Sequence, residues 1–455
     1  MTQDGHKRSR GVHQATTLES PLSTTWRPRV REKAVLVGVG RGIEEADLDE
    51  LAALADSAGA EPVARVLQTR SDPDPATFVG KGKLDEIHRT LERAGATAVI
   101  LDDELSPGQL RNLEERLKTK VIDRTALILD IFALHARSRE GKAQVELAQL
   151  NYLVPRLRGW GEAMSRLGAG IGTRGPGETK LEVDRQHIKR RIAKLRKDLK
   201  DLARTRDVKR SQREGSGVPQ VAIAGYTNAG KSTLLNALTS SDVLVADQLF
   251  ATLDPTTRRL ELPSGRAATL TDTVGFVRKL PHELVEAFRS TLEEVGRSAM
   301  ILHVADASAH DLDEQIEAVR NVLAEIGAGS VTEVLALNKI DLVDATERER
   351  LAARFPYAVA MSALGRVGLE PLLELVESSL PAFPRDVTVL IPYGRDELVA
   401  MLYRDAEVVT SEPCEGGTLV HARVGERAYS KIVGLAAAAE ARSAGDETPV
   451  RSTGS

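Results

Sequence analysis

The chain is poor in cysteine and in aromatic residues. Its 455 residues include one cysteine, Cys414. A lone thiol makes no internal disulfide and no multi-cysteine zinc site, which excludes disulfide scaffolds and zinc modules. Aromatic residues make up only 3%, so the cores must be built from Ala, Val, Leu and Ile. No apolar run approaches the ~18–20 residues of a membrane-spanning helix. The first thirty residues are polar and basic and lack an apolar stretch, so they predict a flexible tail rather than a secretory leader. A cytoplasmic location follows as an expectation. Apolar residues at 42% and charged residues at 28% exclude collagen-like and wholly disordered chains. The length predicts about three domains.

Charge is present but unevenly spread. The formal net charge is -4. Residues 137–213 hold 21 Lys and Arg against 9 Asp and Glu, or +12, which leaves -16 for the rest. A basic island on an acidic body suggests a polyanionic partner, usually nucleic acid, held by one arm. The same count would also suit a solvated helix face.

Apolar periodicity orders the chain. Residues 33–136 alternate short apolar runs with amphipathic stretches. Strands are expected at Ala34–Val37, Val63–Leu67, Ala98–Leu101 and Val121-Ile122, and helices at Leu48–Ala58, Lys83–Ala94, Pro107–Leu117 and Ala126–Ala136. This pattern predicts an α/β domain with a mainly parallel sheet. The Gly38-Val39-Gly40-Arg41-Gly42 stretch reads as a turn. In residues 137–213, Leu181, Ile188, Leu195 and Leu202 recur every seven residues, with Ile192 and Leu199 between them. Upstream, Val145, Ala148 and Tyr152, and Leu147, Leu150 and Val154, also keep helical spacing. The two segments predict an antiparallel helical hairpin. Seven glycines between Arg158 and Glu178 forbid regular structure at its tip. Arg158, Trp160, Arg166 and Arg174 lie there as candidate RNA contacts. Residues 219–380 alternate strand and helix again. Residues 385–440 read as a small α/β unit, and 441–455 as a flexible tail.

The third segment carries the chemistry. A strand at Val221–Ala224 runs into Gly225-Tyr226-Thr227-Asn228-Ala229-Gly230-Lys231-Ser232 and then a helix. This is G-x-x-x-x-G-K-[ST] in its required strand–loop–helix setting. Backbone N–H groups at such a turn cradle phosphates. Lys231 would reach the outer phosphates, and Ser232 would bind Mg2+. A second strand ends in Asp272-Thr273-Val274-Gly275. Asp272 can hold the metal through water, and the Gly275 N–H can sense a γ-phosphate. A third ends in Asn338-Lys339-Ile340-Asp341. The Asp341 carboxylate can accept two bonds from the guanine N1–H and amino group, which adenine cannot offer. Asn338 would support the loop and N7, and the Lys339 stem would cover the base. A fourth ends in Ser362-Ala363-Leu364, where the Ala363 N–H suits guanine O6. GTP and GDP are the expected ligands.

These motifs, with Phe250-Ala251-Thr252-Leu253-Asp254-Pro255-Thr256-Thr257-Arg258, Phe276-Val277 and the loop Gly168–Glu178, resemble the HflX family of translation-factor-related GTPases over residues 33–435. The resemblance implies a multidomain α/β fold: an N-terminal α/β domain with the helical hairpin, a Ras-like P-loop G domain and a small C-terminal domain. It implies a GTPase that binds the large ribosomal subunit and its RNA and separates subunits under stress. A ribosome-assembly role is a further alternative. It also implies Thr252 as the switch threonine on Mg2+, with Thr256 and Thr257 close by in sequence.

Phe276 stands where many GTPases place the glutamine that orients the attacking water. Slow intrinsic hydrolysis and activation by the ribosome are expected. Asn228 is similar to the asparagine of GTPases that use K+, or it merely caps the loop. Lys231, Asn228, Thr252 and Gly275 form the candidate catalytic set. A second reading is a nucleotide-gated RNA-binding module whose N-terminal domain handles ATP through Gly80-Lys81-Gly82-Lys83. A third, a protease adaptor, has no supporting residue. The chain is expected to be monomeric.

Overall fold

The computed structural model describes residues 31–157, 176–214, 218–239, 249–250, 256–279, 281, 284, 288, 292–381, 385–424 and 429. The expected tails, the tip arginines Arg158, Arg166 and Arg174, Trp160, and Ala251, Thr252, Leu253 and Asp254 lie outside them.

The N-terminal sheet has four parallel strands: β1 (Glu32–Gly40), β2 (Ala60–Thr69), β3 (Ala98–Leu101) and β4 (Lys120–Asp123), in the order β2-β1-β3-β4. Parallel pairs need crossovers, here α1 (Asp49–Ser57), α2 (Lys81–Ala94) and α3 (Pro107–Leu117). Ala34 and Leu36 enter one apolar cluster with α1, whereas Val35 and Val37 enter another with α2 and α3. A strand buried on both faces reads as an unbroken apolar run, as Ala34–Val37 does. Gly38 to Gly40 belong to β1, not to a turn, because β2 is long enough to pair Gly40 with Thr69. The turn follows at Arg41 and Gly42.

Helix α4 (Arg124–His135) is capped by the Asp123 carboxylate, which accepts from the Ala126 N–H at 2.8 Å. Next come α5 (Arg139–Arg156) and α6 (Pro176–Glu214). The two apolar rows of α5 serve two neighbours. Val145, Ala148 and Tyr152 join the cluster of α4, whereas Leu147, Leu150 and Val154 meet Ile188, Ile192, Leu195 and Leu199 of α6. Arg191 and Glu146 tie the hairpin with two bonds of 2.6 Å.

The central sheet has six strands: β5 (Gln220–Gly225), β6 (Thr256–Glu261), β7 (Ala267–Asp272), β8 (Met300–Asp306), β9 (Glu333–Asn338) and β10 (Val359–Ala360). Their order is β10-β9-β8-β5-β7-β6. All pairs are parallel except β6–β7. Helices α7 (Lys231–Thr239), α8 (Leu312–Glu325), α9 (Ala345–Arg354) and α10 (Leu369–Ser379) belong to this part of the chain. The antiparallel edge β6 was not anticipated: Thr256-Thr257-Arg258-Arg259-Leu260-Glu261 is too polar to read as a core strand. Last come β11 (Arg385–Pro392), α11 (Asp396–Asp405), β12 (Ala406–Cys414) and β13 (Gly417–Val424), with sheet order β11-β13-β12, both pairs antiparallel. Among the described residues, no helix is long and apolar enough to cross a membrane.

Candidate functional site

The C-terminal ends of β5, β7 and β9 meet at one edge of the central sheet, the usual ligand side of an open α/β sheet. Gly225 ends β5, and Lys231 opens α7. Between them Asn228 and Gly230 take positive φ, +60° and +93°. A Cβ on Gly230 would fall on the Asn338 side-chain amide, so only glycine fits. Lys231 Nζ is buried and donates to the carbonyls of Gly225 (3.1 Å) and Tyr226 (2.7 Å). Burial pushes its pKa down to about 8, partly offset by Asp272. Ser232 Oγ donates to Asp272 Oδ2 at 2.6 Å. A hydroxyl beside a carboxylate is the all-oxygen donor set a hard divalent cation prefers, so these residues fit Mg2+.

The segment after β7 is fastened to the phosphate loop. Thr227 N donates to Phe276 O at 2.7 Å, and Phe276 N to Gly225 O at 3.1 Å. A Cβ on Gly275 would lie 2.8 Å from Thr227 Cγ2 and 3.1 Å from Lys231 Nζ. Gly275, Thr227 and Lys231 therefore converge on one point. The Phe276 side chain is 1% exposed and belongs to the same apolar cluster as Phe132, Phe250 and Phe288. The Phe132 ring lies 4.5 Å from Phe250 and 5.1 Å from Phe288.

At the base end, Asn338 bridges two loops. Its Nδ2 donates to Ala229 O at 2.8 Å, and its Oδ1 accepts from the Ala363 N–H at 2.9 Å. The Ala363 N–H, expected on guanine O6, is thus bonded to Asn338 here. Lys339 takes φ +62° and pairs with Asp306 at 2.6 Å, which fixes the direction of its stem. Asp341 is exposed in the short 3-10 turn Ile340–Leu342, and Leu364 is 84% exposed. Ser362 Oγ accepts from the Gly365 N–H.

Of the switch stretch, Phe250 is described: buried, at φ +59°. Thr256 pairs with Asp272, and Thr257 bonds Thr271 at 3.0 Å, so both are ladder residues of β6.

A charged ring at this edge was missed by the sequence reading. Glu50 on α1 accepts from the Tyr226 hydroxyl (2.8 Å), Arg278 Nε (3.1 Å) and Arg124 Nη2 (2.6 Å). Arg124, 3% exposed, also donates to Asp102 (2.6 Å) and to Arg278 O (2.9 Å). The Arg278 N–H donates to the Tyr226 oxygen at 2.6 Å, and Lys279 pairs with Asp103. Burial, with Glu50 adding to it, pushes the Tyr226 phenol up. No sequence spacing joins residues 50, 124, 226 and 278, and only the folded chain brings them together. In the N-terminal domain, Gly80 caps α2 and its N–H donates to Gln68, while Lys81-Gly82-Lys83 form the first turn of that helix, with Lys83 paired to Glu86.

A six-stranded sheet with G-x-x-x-x-G-K-S after β5, D-x-x-G after β7 and N-K-x-D after β9 defines a P-loop GTPase. Families described as GTP-binding GTPase N-terminal, GTP-binding GTPase Middle Region and 50S ribosome-binding GTPase match residues 45–133, 135–213 and 220–339. A GTPase HflX of Caldanaerobacter subterraneus is 48% identical over 397 residues, which cover 87% of this chain and 92% of that one. A GTPase HflX of Escherichia coli is 43% identical over 378 residues, covering 82% and 88%. The chain belongs to the HflX family of GTPases. A GTP-binding protein of Sulfolobus solfataricus, solved with GDP, is 28% identical and covers 76% of this chain and 98% of that one, with a TM-score of 0.39.

Proposed function

We propose that this GTPase acts in translation by docking on the large ribosomal subunit through RNA, with GTP as the timer. The observation that carries the reading is the basic hairpin α5–α6, which holds most of the +12 segment on an otherwise acidic chain. Several phosphate contacts from one arm would supply strong, salt-dependent attraction. The family description matched by residues 220–339 names 50S ribosome binding, in keeping with that partner. Arg158, Trp160, Arg166 and Arg174 are the proposed RNA contacts, and the products of such docking are separated or rescued subunits.

In the proposed site, the amides of Asn228, Gly230, Lys231 and Ser232 and the Lys231 ammonium hold the phosphates, while the Thr227 N–H stays on Phe276 O. Ser232 and Thr252 would hold Mg2+, which supplies charge neutralisation on the phosphates. Asp341 reads the guanine edge while Lys339 and Leu364 flank the base. Phe250 to Asp254 and Asp272 to Gly275 are the nucleotide-sensing segments, and Asn228 is the candidate K+ ligand. The chain reads as units 33–136, 137–213, 219–380 and 385–440, monomeric and cytoplasmic.

The test is co-sedimentation of the full chain with isolated subunits and a non-hydrolysable GTP analogue or GDP. Binding to large subunits with the analogue, weaker with GDP and falling steeply with salt, is expected. Equal binding with both nucleotides, or none to large subunits, would refute the proposal.

A further inference from the structure

Phe276 creates a chemical gap that the fold does not close in the usual place. Its ring is locked in the apolar cluster and its backbone is fastened to Gly225 and Thr227. No polar side chain at this position orients an attacking water. Thr227 sits against the same point. Its methyl and Cα are the groups a Cβ on Gly275 would strike, and Lys231 Nζ lies 3.1 Å from that position. Thr227 is 7% exposed, and its Oγ1 is buried with no hydrogen-bond partner among the described residues. A buried hydroxyl without a partner is destabilising, and native proteins keep one where it has other work. Asn228, the next residue, is exposed and lacks this placement.

We propose that the Thr227 hydroxyl is a direct catalytic contact in GTP hydrolysis, taking the part that residue 276 cannot. It donates to a γ-phosphoryl oxygen and accepts from the attacking water. One hydroxyl offers one donor and two acceptor sites, enough to bridge both. Water adds to the γ-phosphorus, the bond to the β,γ-bridging oxygen breaks, GDP leaves with the electron pair, and the water's proton passes to a γ-phosphoryl oxygen to give inorganic phosphate. Thr227 orients the water and forms no covalent bond. Among the described residues the hydroxyl has no partner, which leaves its proton and its lone pairs for the phosphate and the water.

The proposal rests on the phosphate-loop assignment above, and the test separates the two. Thr227→Val keeps the branched shape and removes only the hydroxyl. Thr227→Ser keeps the hydroxyl and removes the methyl. Single-turnover hydrolysis at saturating GTP and GTP affinity are measured for both in the full chain, with melting of the nucleotide-free protein. Thr227→Val should hydrolyse at least tenfold more slowly, with GTP affinity changed less than threefold and a melting temperature no lower than wild type. Thr227→Ser should recover most of the rate. A merely structural threonine would move melting and leave the rate alone. Wild-type hydrolysis by Thr227→Val would overturn the proposal, as would a rate loss that Thr227→Ser fails to restore. Lys231→Ala tests the underlying assignment: unchanged GTP affinity there would remove the cradle itself.

Discussion

Asp341 owes little to the fold. It is exposed, on a single turn between β9 and α9, so its replacement should leave the protein folded. Asp341→Asn puts an amide donor where guanine needs an acceptor. GTP affinity should fall by about 2–5 kcal/mol, with xanthine nucleotides favoured instead, as read by titration with GTP and XTP. Wild-type GTP affinity would mean that this turn does not read the base. Asp341, Lys231 and Ser232 were legible because their motifs are local, a few residues at the end of a strand. Asn338 was legible only in part. Its bonds to Ala229 and Ala363 join three loops that sequence keeps far apart. Glu50 and Arg124 were not legible at all, since a buried ion pair between distant elements leaves no periodic mark.

Among the elements, α4 shows how burial sets titration. Asp130 is pushed up to about 6 by burial, with Lys120 pulling the other way. The folded chain then keeps a proton that the unfolded chain, at 3.8, releases. Stability from this residue is greatest at low pH and declines as pH rises through the window from 3.8 to about 6. Asp130→Asn should erase that slope and stabilise the protein at neutral pH by up to about 3 kcal/mol. Denaturant midpoints at pH 4 and pH 7.5 would show it, and a variant that loses stability at pH 7.5 would count against it. Strands such as Ala34–Val37, Ala98–Leu101 and Val221–Ala224 were legible as apolar runs, because strands buried on both faces cannot alternate. Strand β6 was not, because an edge strand keeps polar residues facing water. The α5–α6 hairpin was legible from its seven-residue repeat, which Ile188, Ile192, Leu195 and Leu199 fulfil by packing on α5. That seam closes without the tip. Replacing Gly159 to Gly177 with a short Gly-Ser linker should therefore spare folding and GTP binding. Subunit separation in sucrose gradients should vanish, and undiminished separation would reduce the tip to a linker.

Across the whole molecule, the nucleotide edge and the N-terminal sheet are not independent. Helices α1 and α4 share one apolar cluster with Phe250, Phe276 and Phe288, and Glu50 bonds Tyr226 of the phosphate loop. Any shift of the segment after β7 must disturb a buried ring of charges that includes Arg124. Rearranging such a ring is costly, because a buried charge separated from its partner loses several kcal/mol. Under the proposed function, docking on the large subunit would have to move this ring. The measurement that bears most directly on this account is GTP turnover by the full chain with no ribosomal particle, with small subunits and with large subunits. The account predicts low turnover in the first two and an increase of at least tenfold with large subunits, diminishing as salt is raised. Equal turnover in all three would contradict it.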